Sequence, residues 1–257
     1  MATSFDLTGR TALVTGASSG LGARFARLLA ENGAQVVLAS RRVERLKELR
    51  AEIEAGGGQA HVVALDVTDN VGIEAAVAQA ETMGGPIDIL VNNSGVSTTQ
   101  RLVDVTPQDY DFVFGTNTRG AFFVAQAVAR RMIARARDEP QRSARIINVA
   151  SMAGLRVLAQ IGIYSMSKAA VIHMTRAMAL EWGRYNINTN AVCPGYIETE
   201  LNAQHWQTEA GQKLIQMLPR RRIGTPEHLD GVMLLLASDQ SDFINGSIIA
   251  ADDGFAL

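Results

Sequence analysis

The sequence predicts an α/β protein, a single mainly parallel sheet of seven strands, doubly wound, with helices on both faces. Three observations predict it. Strand-like and helix-like runs alternate from one end of the chain to the other, the pattern of successive β-α-β units. Several of the strand-like runs are continuous stretches of Val, Ile, Leu and Ala, which suits strands buried on both faces of a parallel sheet. Gly16, Asp66, Asn93, Ser151 and Pro194 all fall at or just past the ends of such runs, where sheets of this kind bind ligands.

Taken in order, Thr11–Thr15 is a short apolar run that reads as the first buried strand, and Gly16, Gly20 and Gly22 turn it into a helix over Gly20–Asn32. Gln35–Ser40 is the second strand. A helix over Val43–Glu54 follows, stopped by Gly56-Gly57-Gly58. Ala60–Val67 and Ile87–Asn92 are strands flanking a helix over Val71–Thr82. A long helix, Pro107–Ala136, then leads through the polar loop Arg137–Ser143 into a strand at Arg145–Ala150. The helix Tyr164–Gly183, the strand Asn188–Cys193, the helix Pro226–Ala237 and the strand Ser247–Ala251 complete the alternation. Residues 199–222 interrupt it with a helical, partly apolar stretch, an insertion placed to hang over the ligand-binding edge as a substrate cover.

Composition excludes several classes of function. With 257 residues the chain is long enough for one large domain spanning 1–257, and it holds no internal repeat or linker-like segment. No run of eighteen or more apolar residues suggests a membrane span. A net charge of -2 with interspersed signs offers no field for nucleic acid or an anionic membrane, so neither is expected as a partner. The start, Met1-Ala2-Thr3-Ser4-Phe5-Asp6, lacks the basic and apolar regions of a signal peptide, and the single Cys193 cannot form an intrachain disulfide; cytoplasm is the expected compartment. His61, His173, His205 and His228 match no metal-ligand spacing, and no metal is expected.

The chemistry is concentrated at two places. Tyr164 lies four residues before Lys168, which puts both on one face of a helix, and Ser151 lies thirteen residues upstream of the tyrosine. An ammonium held near a phenol lowers its pKa, making tyrosine a usable acid near neutral pH. The G-x-x-x-G-x-G turn at Gly16, Gly20 and Gly22 suits close approach to a pyrophosphate at a helix N-terminus. Each feature also has a plain structural reading. A glycine turn occurs without a dinucleotide, Ser151 could be a strand-end cap, Tyr164 a half-buried core aromatic, Asp66 a strand-end cap, and Asn117 a polar residue that kinks the long helix.

Their order along the chain decides between these readings. Thr15-Gly16-x-x-x-Gly20-x-Gly22, Asn92-Asn93-Ser94-Gly95, Asn117, Ser151, Tyr164-x-x-x-Lys168 and Pro194-Gly195 resemble, over essentially the full length, the short-chain dehydrogenase/reductase family, and within it the 3-oxoacyl reductases. The resemblance implies a Rossmann fold and hydride transfer between a nicotinamide and a carbonyl or secondary-alcohol carbon. It implies that Tyr164 is the proton donor or acceptor, that Ser151 binds the substrate oxygen, that Lys168 holds the nicotinamide ribose and lowers the Tyr164 pKa, and that Asn117 helps hold a water in a proton relay. Gly16, Ser18, Ser19, Gly20, Leu21 and Gly22 would cradle the pyrophosphate, Asp66 and Val67 the adenine, and Asn93, Ser94 and Gly95 its ribose. Pro194, Gly195, Ile197 and Thr199 would hold the carboxamide and pyrophosphate.

Cofactor choice follows from charge. NAD enzymes of this type commonly end the second strand with a carboxylate for the ribose 2′-hydroxyl. Here the strand ends in Ser40, followed by Arg41 and Arg42, which favours NADP(H), with NAD(H) as the alternative. The expected substrate is a small ketone or alcohol or a 3-oxoacyl thioester, in a pocket walled by Met152, Leu155, Gln160, Ile161, Tyr196, Leu201, His205, Trp206 and Leu214. The alternatives are an NAD-dependent secondary-alcohol dehydrogenase and, more remotely, a non-catalytic dinucleotide-binding protein. Arg220-Arg221-Arg222 has two readings, a site for carrier phosphates or a solvated turn. Tyr185 stands where carrier-protein reductases commonly have a basic residue, and Asp252-Asp253-Gly254 departs from the family's Asp-Gly-Gly close. In relatives the Asn117 and Tyr164 helices pack against a second subunit, which implies a homotetramer, or a dimer.

Overall fold

The computed structural model describes residues 5–200 and 202–256. Seven strands form one sheet in the order β3-β2-β1-β4-β5-β6-β7, and every neighbouring pair is parallel. They are β1 (Thr11–Thr15), β2 (Gln35–Ser40), β3 (Gln59–Ala64), β4 (Ile87–Asn92), β5 (Ala144–Val149), β6 (Ile187–Pro194) and β7 (Ile248–Ala251). The strand order reverses direction between β1 and β4, leaving a crevice beyond their carboxyl ends.

Both faces of the sheet are covered, which is why its strands read as unbroken apolar runs. On one face α1 (Gly20–Glu31), α2 (Val43–Ala55) and α9 (Asp230–Ala237) bury Phe25, Leu29, Leu46, Leu49, Met233 and Leu236. On the other, α3 (Asn70–Gly84), α5 (Ala121–Arg135) and α6 (Gly162–Trp182) bury Ile73, Val77, Val124, Val128 and Met178. The amino edge of the sheet is closed by charge. Asp88, fully buried, accepts from Arg135 Nη2 at 3.0 Å, Arg142 Nε at 2.7 Å and the Thr11 N–H at 3.0 Å. The reacting groups are left to the opposite, carboxyl edge.

The structure departs from the sequence expectation in instructive places. β3 stops at Ala64 rather than Val67, because Asp66 Oδ1 accepts from both the N–H and the hydroxyl of Thr68 and turns the chain out of the ladder. The expected helix Pro107–Ala136 is three pieces: α4 (Pro107–Phe114), a widened π-turn at Gly115–Gly120, and α5. Such turns are rare and mark sites where a helix is bent for a purpose. The expected helix Pro226–Ala237 begins as a 3-10 turn at Pro226–Leu229 and becomes α9 only from Asp230.

The stretch after β6 carries two short helices, α7 (Ala203–Trp206) and α8 (Glu209–Met217). Its two ends are stapled together where Ile197 pairs with Gly224: Glu198 N–H donates to Gly224 O and Gly224 N–H to Tyr196 O, both at 2.8 Å. Leu201, expected to line this stretch, lies outside the described residues.

Candidate active site

The turn after β1 is built for close approach. Gly16 has φ +66, a left-handed conformation that costs glycine nothing, and a Cβ on Gly22 would collide with the Gly16 carbonyl oxygen. The α1 N-terminus therefore sits directly on the turn, with its first N–H groups open to an anion. Ser19 precedes the helix in extended conformation and makes no side-chain cap, so its hydroxyl is committed elsewhere. Arg42 explains this: its Nε donates to Ser18 Oγ at 3.0 Å and its Nη2 to Ser19 Oγ at 2.6 Å. The Arg42 guanidinium is thus drawn over the turn. Arg41, largely exposed, has its Nη1 3.8 Å from Asp66 Oδ2. Hydrogen bonds from Thr68, then the Arg41 charge, hold the Asp66 carboxyl below its usual range.

The turn after β4 is laced to the one after β1. Thr15 Oγ1 accepts from the N–H groups of Asn93 at 2.9 Å and Ser94 at 3.1 Å, while Asn93 Nδ2 donates to Thr15 O at 3.1 Å. The Asn93 side chain is therefore a brace between two cofactor-facing turns. Gly95 brings the same segment to two of the expected catalytic residues, since a Cβ there would lie 3.4 Å from Lys168 Nζ and 3.5 Å from Asn117 Oδ1.

Ser151, Tyr164, Lys168 and Asn117 converge on this spot. Ser151 leaves β5 in extended conformation and its Oγ accepts from the Ala153 N–H at 3.1 Å, which fixes the hydroxyl at the strand's carboxyl end. α6 carries Tyr164 and Lys168 on one face. The Lys168 ammonium, buried, donates to Val149 O at 2.8 Å and lies 5.8 Å from the Tyr164 ring centroid. Asn117, in the π-turn, accepts from the Val96 N–H and donates to Val96 O, both at 2.8 Å, and donates to Ser167 Oγ at 3.0 Å. Its side chain is fully engaged, so it acts on the site through the backbone it shapes.

Burial pushes the Tyr164 phenol up, opposed by the neighbouring Ser151 hydroxyl. Burial also lowers Lys168, to about 8, and pushes the neighbouring Cys193 thiol up to about 11. Cys193 is fully buried in the core.

The segment after β6 roofs this edge. Gly20 approaches Thr199, whose Cγ2 would lie 3.4 Å from a Cβ on the glycine, and Arg45 Nη1 on α2 pairs with Glu200 Oε2 at 3.1 Å. Tyr196 stacks edge-on with Trp206 at 5.4 Å between centroids and packs on Phe255 at the same distance. Arg156, five residues beyond Ser151, donates through Nη1 to Phe255 O at 2.7 Å, with its guanidinium 5.1 Å above the Phe255 ring.

A family model described as enoyl-(acyl carrier protein) reductase matches residues 16–256. The chain is a short-chain dehydrogenase/reductase. It is 38% identical over 254 residues to the gluconate 5-dehydrogenase of Gluconobacter oxydans (strain 621H), with 98% of this chain and 97% of that one covered. The 3-oxoacyl-(acyl-carrier-protein) reductase of Thermotoga maritima is 36% identical over 251 residues, with 98% and 99% covered. The crystal structure of a gluconate 5-dehydrogenase from Burkholderia cenocepacia J2315, in complex with NADP and tartrate, matches with a TM-score of 0.91 at 37% identity, covering 98% and 96%. This short-chain dehydrogenase/reductase is accordingly an oxidoreductase of the alcohol/carbonyl pair that works with a nicotinamide dinucleotide.

Within the dehydrogenase/reductase, the structure brings together the four expected catalytic positions and the turns carrying Gly16 to Gly22, Ser40 to Arg42, Asn93 to Gly95 and Pro194 to Thr199. Of the expected pocket wall, Met152 and Trp206 are buried, whereas Leu155 and His205 are exposed. Arg156, Asp253 and Phe255, which meet beside this edge, were not among the expected site residues. The only signal in the sequence was Asp253, standing where the family has a glycine. Among the described residues no cluster of His, Cys, Asp or Glu is arranged to hold a metal ion, and no helix is long and apolar enough to cross a membrane.

Proposed function

We propose that this enzyme uses NADP(H) to interconvert a compact polar ketone and its secondary alcohol, with a hydroxy acid or keto acid as the substrate class. Arg42 carries the cofactor assignment. Its guanidinium is anchored on the Ser18 and Ser19 hydroxyls at the mouth of the phosphate turn, Arg41 stands exposed beside it, and β2 ends in Ser40 rather than a carboxylate. A 2′-phosphate placed there meets two guanidiniums, one of them shared with the Asp66 carboxylate, and no carboxylate at the end of β2 itself. The glycine turn fits the pyrophosphate, since a Cβ on Gly22 would collide with the Gly16 backbone and push the α1 N-terminus away from the turn. The complex of the Burkholderia relative with NADP supports the same reading.

The bound nicotinamide would supply or accept the hydride. Ser151 donates to the substrate oxygen, stabilising the charge that develops on it. Tyr164 delivers a proton to that oxygen during reduction and removes it during oxidation. Lys168 holds the ribose hydroxyls, and with its pKa at about 8 it is mostly ammonium at neutral pH. Main-chain groups of the π-turn at Asn117 hold the water that passes the proton outward.

Arg156 supports an acid substrate. It rises from the Ser151 loop and presents a guanidinium held by the Phe255 carbonyl and ring beside the segments that roof the carboxyl edge. The names of the gluconate 5-dehydrogenases and the tartrate in the Burkholderia structure point the same way. A second reading, a 3-oxoacyl thioester, is supported by the similarity to the Thermotoga reductase. Against a carrier phosphate stands the engagement of Arg220 and Arg222 with Asp253.

We also infer a homotetramer in the cytoplasm, its first contact formed by α4, α5 and α6. That face bears exposed Tyr110, Phe112 and Met166 beside a groove of about 960 Å³ lined by Phe114, Phe122, Ile133 and Met174.

The cofactor reading is tested by Arg41→Asp. Hydrogen bonds to charged groups contribute about 1.5–3 kcal/mol, so the Kd for NADPH should rise about tenfold to a hundredfold while that for NADH stays near its starting value. Equal losses for both dinucleotides would remove the assignment.

A further inference from the structure

Two unexplained features of the sequence, the Arg220-Arg221-Arg222 run and the aspartate in place of glycine at 253, meet in space. Asp253 Oδ1 accepts from Arg220 Nη1 at 2.9 Å and Arg222 Nη2 at 3.2 Å, and Oδ2 accepts from Arg222 Nε at 2.7 Å. This is a two-armed guanidinium clamp on one carboxylate. Both sides of it are backbone-strained: Asp253 has φ +57 and Arg221, between the two clamping arginines, has φ +49. Left-handed backbone disfavours side chains with a Cβ and persists where the surroundings enforce it. The Asp253 carboxyl is held down at about 2, so the clamp is charged across any working pH.

The clamp joins the end of the segment following β6 to the segment following β7. Four residues connect it to the carboxyl edge. Phe255 packs on Tyr196, Tyr196 on Trp206, and the Phe255 carbonyl and ring are both engaged by Arg156 from the Ser151 loop. Packing alone does not fix this arrangement, because a cavity of about 280 Å³ lies between Gly195–Ile197, the Leu218–Gly224 stretch and residues 252–255. Neither Ser151 nor Tyr164 lines that cavity. Phe255 is placed by a turn on Asp252, which accepts from the Gly254, Phe255 and Ala256 N–H groups, and, with open volume on one side, by the Asp253 ion pairs and the Arg156 hydrogen bond that hold this turn against its neighbours.

We propose that Asp253 is a positioning residue for the substrate site: clamped by Arg220 and Arg222, it seats Phe255 so that this ring, Tyr196 and the Arg156 guanidinium form the wall that reads the end of the substrate far from the reacting carbon. The inference rests on the reading of this enzyme as a reductase of compact ketones and deepens it by naming what sets substrate specificity. The Asp253 side chain bonds to Arg220 and Arg222 and to none of the expected cofactor residues, while Asp252, which packs on Gly195, stays in place when the clamp is broken, so the clamp acts on substrate affinity rather than on the cofactor.

The test compares wild type, Asp253→Gly and Arg222→Met. Glycine suits the left-handed backbone at 253 and removes both acceptors, and the arginine variant breaks the clamp from the other side. On the best ketone of a panel, KM should rise about tenfold or more in both variants, with kcat within about threefold and the Kd for NADPH unchanged, the pattern of lost substrate binding. A KM unchanged in both variants, or kcat and cofactor affinity falling in step with it, overturns the proposal. Amide exchange provides the readout without substrate: residues 202–222 and 252–256 should lose protection together in Asp253→Gly, and unchanged protection would likewise overturn it. If the wild type reduces only uncharged ketones, the keto-acid reading fails, and the same KM comparison on those ketones still decides the clamp.

Discussion

At Tyr164 two influences compete, and burial prevails. The phenol is pushed up by its surroundings while the neighbouring Ser151 hydroxyl pulls it down, so the tyrosine stays protonated and poised to donate. Tyr164→Phe keeps the ring and removes the proton. General acid–base catalysis is worth about 10²–10⁴-fold, and turnover should fall by that amount with NADPH binding intact by fluorescence titration. On the proposed mechanism the neighbouring lysine should set the pH profile. Its pKa lies near 8, below the ordinary 10.5, so the ammonium is lost as pH rises through about 8. The kcat/KM for NADPH should decline across that interval, and Lys168→Arg, which stays charged, should move the decline to higher pH or abolish it. At the far edge Asp88 is buried between Arg135, Arg142 and the Thr11 N–H. Asp88→Ala strands two arginines, and denaturant unfolding should show a loss of about 3–5 kcal/mol.

At the scale of elements, what was legible was what depends on local order. The glycine turn, the Ser40-Arg41-Arg42 strand end, and Tyr164 and Lys168 four apart on one helix are each set by residues close in sequence. Continuous Val, Ile and Leu runs marked the strands because both faces of the sheet are covered. The π-turn at Gly115–Gly120 was hidden, because its residues continue the helical pattern on either side and the widening is imposed by Asn117 reaching the Val96 peptide. The early end of β3 was hidden for a similar reason: Asp66 and Thr68 turn the chain through side-chain bonds that apolar periodicity does not register. Arg156, Arg222, Asp253 and Phe255 lie up to about a hundred residues apart and meet only in the folded chain, so no spacing could have announced them.

For the whole molecule, the parallel sheet sorts charge and chemistry to opposite edges. The amino edge holds the Asp88 ion cluster, and the carboxyl edge gathers the phosphate turn, the Ser151, Tyr164 and Lys168 constellation and the segments that roof it. The proposed association of copies of the chain would use the apolar groove on α4, α5 and α6. Light scattering should report a tetramer for the wild type and a smaller species for Phe122→Glu, which places a charge in the groove; an unchanged mass would assign the contact elsewhere. The central claim is NADP(H)-dependent interconversion of a compact keto acid and its alcohol. The measurement that tests it most directly is the initial rate with NADPH and with NADH on a polyhydroxy keto acid, its methyl ester, an uncharged ketone and a 3-oxoacyl thioester. The account predicts the highest kcat/KM for the free keto acid with NADPH, and a loss of that preference over the ester in Arg156→Gln. Turnover confined to NADH, or to the thioester, would contradict it.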